Sequence, residues 1–458
     1  MSYIMSVITL ARDLAAPKTA NRMIFRAAVL VATFSLVAKL AGTAREIAVA
    51  GWFGRGPEVD ALFIAFLVPT FVVNLVAGSV NSAVIPVFVQ AREREGKEAA
   101  EQLLANITVC SVALLSGLGL LLGMVAPYYL PLLGSGFSVG KVLLTRHLMY
   151  VFLPFIVLGG LNVMWISVLN AGESFAIPAL LPALSPLGGI LCLFIAGRWC
   201  GIYALAVGLV LGQGIETVVL ARMVRNSGLR LSFIWHGLEG ATRQVASQYF
   251  PALAGAVMMT STVVVDQAMA AMLAGGSVAA LNYATKIVSV VLTVSSGPLS
   301  TALLPYFSRM AAAEEWGACR HTLETYARFV LLITIAIATA MVIFSRPLVK
   351  ILFEHGRFSA ADTAAVSRVE AFLALQIPFY AMAVLGVRLL NVLRKNHYIM
   401  VITAVNAVLN LVLNYVLMKL MGVAGIALST SIVYALSCGM VFVCVLLSLP
   451  KAKVLAMA

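Results

Sequence analysis

Charge is what this sequence has least of. Only 11% of its 458 residues are Asp, Glu, Lys or Arg, where a soluble domain carries about a quarter, while 62% are hydrophobic and the mean hydropathy is +1.02. That excludes a soluble globule. Acidic residues are scarcest, 18 against 31 basic ones. The six cysteines (Cys110, Cys192, Cys200, Cys319, Cys438, Cys444) form no CxxC pair, and four lie in apolar runs. They read as small packing residues, with no disulfide frame, metal site or cofactor implied. The short alternating pattern of an outer-membrane barrel is missing too. The first 22 residues include Arg12, Asp13, Lys18 and Arg22 and hold no uninterrupted apolar stretch with a cleavage site, so no removable signal is expected.

What the chain does have is apolar runs of 20 residues or more, and lipid offers no partner for their backbone N–H and C=O groups except within a helix. The expected fold is therefore all-α, a polytopic membrane protein with about twelve transmembrane helices. The spans fall near 27–50, 60–89, 104–126, 145–169, 176–196, 202–221, 246–272, 277–307, 327–345, 367–392, 398–418 and 422–448. With the amino terminus inside, the inner segments hold 18 Lys and Arg and the outer segments 9. By the positive-inside rule both termini are cytoplasmic. The same rule accounts for the net charge of +13, so no nucleic acid partner is expected.

The second span matches the eighth at an offset of 219 residues: Leu62, Ala65, Val72, Gly78, Ala83, Pro86 and Phe88 against Leu281, Ala284, Val291, Gly297, Ala302, Pro305 and Phe307. Six spans per half is an even number, so the halves share one orientation. The expected organisation is a cytoplasmic segment 1–26, a first lobe 27–221, a linker 222–245, a second lobe 246–448 and a tail 449–458. The two six-helix lobes would surround a central cationic cavity.

Lys39, Arg45 and Glu46 in the first span and Lys286 in the eighth are ionisable residues set within apolar, membrane-length runs. Inserting each at mid-bilayer costs about 2.5–3.5 kcal/mol, so such groups usually line a water-filled path. Three cations together suit an anionic cargo. Lys39 and Glu46 are seven residues apart, nearly on one face but about 10 Å apart along the axis. Their structural alternative is an ion pair that merely joins helices, and that of Lys286 is snorkelling to an interface.

The stretch "AKLAGTAREIAVAGWFGRGPEVDALFIAFLVPT" followed by "GSVNSAVIPVF" resembles the amino-terminal signature of the MurJ/MviN lipid II flippases, within the multidrug/oligosaccharidyl-lipid/polysaccharide exporter superfamily. The likeness continues through "VLNAGESFAIPALLPALSP" (168–186), "VDQAMAAMLAGGSVAALNYATKIVSVVLTVSSGPLSTALLPYFSR" (265–309) and "PLVKILFEHGRFSAADTAAV" (347–366). It implies a V-shaped bundle in the bacterial cytoplasmic membrane that moves an undecaprenyl-diphosphate-linked glycan from the inner to the outer leaflet by alternating access. The family's cavity cations fall on Lys39, Arg45 and Lys286, with Lys where the family usually has Arg at 39 and 286. Its acidic neighbours fall on Glu46 and Asp60, read here as charge-coupling groups. Two departures stand out. Val73 and Asn74 occupy the place of an arginine pair, with Gly78 beyond them, which makes Asn74 a candidate substrate contact. The familiar flippase also continues for two helices past the twelfth. Both leave a lipid-linked exopolysaccharide or O-antigen oligosaccharide as the alternative cargo.

Asp266, near the outer end of its span, is a candidate for charge coupling, through a monovalent cation or the membrane potential, or for pairing with Lys286. Asn406, Asn410 and Asn414 recur every four residues and read as a stripe that bonds helices together. Gln213 and Glu216 are candidates for the first lobe's cavity lining, and 309–328 reads as an amphipathic surface helix. A cation-coupled drug exporter would want acidic residues in the cavity. A membrane-bound glycan transferase would want clustered aspartates or a large catalytic loop, and 222–245 has no Asp. A non-transporting scaffold would have no use for the intramembrane cations.

Overall fold

The computed structural model describes residues 20–172, 174–237 and 241–449; the side chains of 20–29, 77–78, 81–82, 248, 250–252, 254–255, 258–259 and 296–305 fall outside this description. The expectations placed on residues 1–19 and 450–458, and on the side chains of Arg22, Ala302 and Pro305, therefore lie beyond it.

Among the described residues there are helices and no strands. Each expected span lies on a helical unit: α1 (Ala20–Phe53), α2 (Pro57–Gln90), α3 (Lys97–Leu133), α4 (Val139–Ala171), α5 (Ala176–Cys200), α6 (Ile202–Asn226), α7 (Ala241–Ala271), α8 (Ser277–Ala312), α9 (Trp316–Ile343), α10 (Ala360–Val392), α11 (Asn396–Met421) and α12 (Val423–Ser448). Ten of the twelve are long and apolar enough to cross a membrane among the described residues. The exceptions are α1, which carries Lys39, Arg45 and Glu46, and α7, whose side chains are only partly described. This is a multi-pass membrane protein.

Most helices overrun the apolar runs that announced them, because a helix needs no apolar side chains once it leaves the hydrocarbon. The amphipathic stretch after Arg309 is divided rather than forming a separate surface helix. α8 carries on to Ala312, a turn with Glu314 at φ 55° follows, and α9 starts at Trp316. The chain between α9 and α10 holds a short helix, Ser345–Phe353.

Burial divides the bundle into three apolar cores. The first lies at the predicted outer end and draws on both halves of the chain: Val49, Leu62, Ile64, Leu130 and Leu205 from one, Tyr283, Phe353, Val366 and Ile426 from the other. The second packs the predicted inner ends of α2, α3, α4 and α6 around Phe88, Leu104, Trp165 and Leu220, and takes in Val245 at the start of α7. The third packs the predicted inner ends of α8 to α12 around Phe307, Leu323, Leu389 and Val445. The two halves share one core at one end of the bundle and hold two separate cores at the other.

Close helix contacts rest on glycine. On α6, Gly208 and Gly212 form a GxxxG pair facing Leu184, Ser185 and Gly188 of α5, and a Cβ at Gly212 would lie 2.3 Å from the Leu184 carbonyl oxygen. Only small residues allow this approach.

Candidate functional site

The intramembrane cations converge on a glycine. The Lys286 ammonium of α8 lies over Gly42 of α1, where an added Cβ would sit 3.1 Å from Nζ. Residues three and four apart share a helix face. Lys39, Arg45 and Glu46 therefore border the spot that Lys286 covers, and its charge lies within electrostatic reach of all three. Arg45 pairs with Glu46 and stands 5.8 Å from the centroid of the Phe66 ring on α2. Glu46 is buried, and its second carboxylate oxygen has no hydrogen-bond partner. Lys39 is exposed. With one acid among three bases the cluster carries an excess of two positive charges. It is suited to a diphosphate, although a lysine acts as a point charge where arginine offers a planar fork.

Asn74 is exposed on α2, eight residues and about 12 Å along the axis from Phe66, toward the predicted inner end. Among the described residues no hydrogen bond or ion pair joins it to the cations. Val73 beside it turns the other way, into α4, where a Cβ on Gly159 would come within 2.6 Å of Val73 Cγ2.

Asp60 stands apart from the cations. Buried at the start of α2, it accepts from Lys141 Nζ at 2.6 Å and from the backbone N–H groups of Gly276 (2.7 Å) and Ala279 (2.8 Å). It thereby caps α8, whose first amide groups have no partner within their own helix. Other contacts cross between the halves nearby: the Tyr283 hydroxyl donates to the Gly54 carbonyl at 2.9 Å, Arg55 Nε to Asp362 at 2.7 Å, and the Arg357 N–H to the Gly51 carbonyl at 2.8 Å. Gly54, Gly276 and Gly356 all have positive φ here.

Asp266 does not reach Lys286 as an ion pair. Its carboxylate accepts from Asn410 at 3.0 Å and Asn414 at 2.6 Å, so two members of the asparagine stripe tie α11 to α7, and Asn406 donates to Ser437 of α12 at 2.9 Å. A cavity of about 360 Å³, lined by Asp266, Thr262, Gln267, Thr403, Asn410 and Tyr434 among others, opens beside it. Gln213 and Glu216 are buried. Phe66 and Lys141 join these groups through contacts that the sequence does not announce.

The profile of the family described as "Lipid II flippase MurJ" matches residues 49–457. The chain belongs to this family. Among MurJ relatives, the lipid II flippase of Burkholderia cenocepacia is 26% identical, with 89% of this chain and 81% of that protein covered. A probable lipid II flippase of Bdellovibrio bacteriovorus is 27% identical over 90% of this chain and 80% of its own. In fold, a MurJ structure in an inward closed conformation superposes with a TM-score of 0.80 at 22% identity, covering 91% of this chain and 87% of that one. An inward-facing MATE transporter of the MOP superfamily gives 0.76 at 14% identity, covering 92% and 98%.

Proposed function

We propose that the protein is a flippase that carries lipid II, a polyprenyl-diphosphate-linked cell-wall precursor, from the inner to the outer leaflet of the bacterial cytoplasmic membrane. The observation that carries this reading is the Lys286 ammonium lodged over Gly42 beside Lys39 and Arg45. A cluster with excess positive charge inside a membrane has use for an anionic, lipid-borne cargo. The cations engage the diphosphate, Glu46 holds Arg45 in place, and Asn74 contacts the cargo closer to the inner leaflet. Family membership favours lipid II over an exopolysaccharide repeat, and a transporter over a glycan transferase.

Both termini are cytoplasmic in this reading, and the two lobes, 27–221 and 246–448, rock against each other. The shared outer core and separate inner cores support an inward state in which the outer end is the closed one. Asp60 serves as the hinge-side anchor of that closure. Asp266, at the edge of the cavity and accepting from Asn410 and Asn414, is the group through which a monovalent cation or the membrane potential acts.

Translocation of fluorescent lipid II in proteoliposomes tests this. Protein-dependent access of the lipid to an external enzyme is expected, and its absence in vesicles with correctly folded protein refutes the proposal.

A further inference from the structure

Inside the first half lies a carboxyl with no basic partner. Glu216 of α6 is 2% exposed, and it rests against the side-chain amide of Asn162 on α4, itself 1% exposed. The amide nitrogen of Asn162 donates to the Gln213 carbonyl at 3.3 Å, while its oxygen is buried with no partner at all. The adjacent hydroxyl, on Thr217, is already directed to that Gln213 carbonyl at 2.8 Å.

An ionised carboxylate in such a place would face several kcal/mol of desolvation with no cation to offset it. Along α6 the next charge is Arg222, about 9 Å toward the inner end. The helices packed against α6 offer none nearby. α4 has no charged residue between His147 and its end at Ala171, with Tyr150 the one other titratable group. α5 has none before Arg198, and only Cys192 titrates. α2 has none between Asp60 and its end at Gln90. A protonated carboxyl resolves both problems at once, because it is neutral and gains one O–H donor, and the orphan oxygen of Asn162 is an acceptor.

We infer that Glu216 binds a proton in this conformation and donates it in a hydrogen bond to Asn162 Oδ1, forming a proton-carrying site in the first half, distinct from Asp266 in the second. The tight packing of α4 on α6 favours a proton over a metal ion, which needs room for several oxygen ligands. The assignment does not depend on which lipid is carried.

Infrared difference spectroscopy of purified full-length protein at neutral pH, wild type minus Glu216→Gln, reads the protonation state directly. The expected difference is the loss of a neutral carboxylic acid C=O band with the carboxylate bands unchanged, and in Asn162→Ala that band moves to higher frequency. Loss of carboxylate bands overturns the proposal, and loss seen only in sodium-containing buffer assigns the site to a metal cation instead. A neutral band indifferent to Asn162→Ala overturns the assigned acceptor. If Glu216→Gln fails to fold, Glu216→Asp preserves the acid and reports through a shifted band, whose absence is equally refuting.

Discussion

At the scale of single residues, Gly42 makes the site possible, because any side chain there competes with the Lys286 ammonium for space. Ala asks Lys286 to yield a few tenths of an ångström, while Leu must evict it. Gly42→Leu is therefore expected to weaken lipid II binding roughly ten- to a hundredfold, the range for losing a charge-assisted contact of about 1.5–3 kcal/mol, with membrane abundance kept. Equilibrium binding to the purified variant checks this. Lys39→Arg and Lys286→Arg should keep transport, since both retain the charge and add a fork for phosphate. Glu370 points the other way. It is fully buried, neither carboxyl oxygen has a hydrogen-bond partner, and the Ser345 hydroxyl beside it donates instead to the Ser367 carbonyl at 2.6 Å. Nothing in the site uses it. Glu370→Leu is expected to leave thermal stability unchanged or raised by about 1 kcal/mol, measured as the unfolding midpoint in detergent.

At the scale of helices, sequence and structure agree where apolar pattern alone decides. The twelve expected spans coincide with α1 to α12, because a continuous apolar run in lipid leaves the backbone one choice. Helix ends were less legible: α3 and α9 begin seven and eleven residues before their expected starts at 104 and 327. Polar residues outside the bilayer continue a helix without any hydrophobic signal. The α5–α6 seam was written in the sequence as Gly208 and Gly212 but depends on a partner helix that the pattern does not name. Gly212→Ala would force a Cβ against the Leu184 carbonyl, whereas Gly439 on α12 faces open space. The first change is expected to cost about 1–3 kcal/mol or more, and Gly439→Ala to be neutral or to stabilise by up to about 1 kcal/mol. Thermal unfolding of both variants in the same detergent separates them.

At the scale of the whole molecule, the roles of Asp60 and Asp266 were hidden because their partners are remote in sequence. Ala279 lies 219 residues beyond Asp60, and Asn414 lies 148 beyond Asp266. The family resemblance pointed to Asp60 and its place in a span to Asp266, and only the folded chain reveals that Asp60 caps the helix across the junction. Rocking requires the outer end to part. A short thiol cross-linker joining Arg55→Cys to Asp362→Cys, in place of their 2.7 Å ion pair, should therefore stop translocation while leaving lipid binding intact. Transport that continues in the cross-linked protein would mean that this end need not open. Asp60→Ala leaves Lys141 and two amide groups buried without their acceptor. It should destabilise the closed outer end by about 3–5 kcal/mol, seen as greater labelling of a cysteine at Tyr283 from outside.

The central claim is that Lys39, Arg45 and Lys286 together hold the diphosphate of a lipid-linked precursor. The direct measurement is the affinity of purified protein for lipid II, wild type against the Lys39/Arg45/Lys286 triple alanine variant, with a second polyprenyl-diphosphate oligosaccharide alongside. The account predicts that the variant, folded and monodisperse, loses at least about a hundredfold in affinity for lipid II. Equal affinity of variant and wild type for both lipids would contradict it.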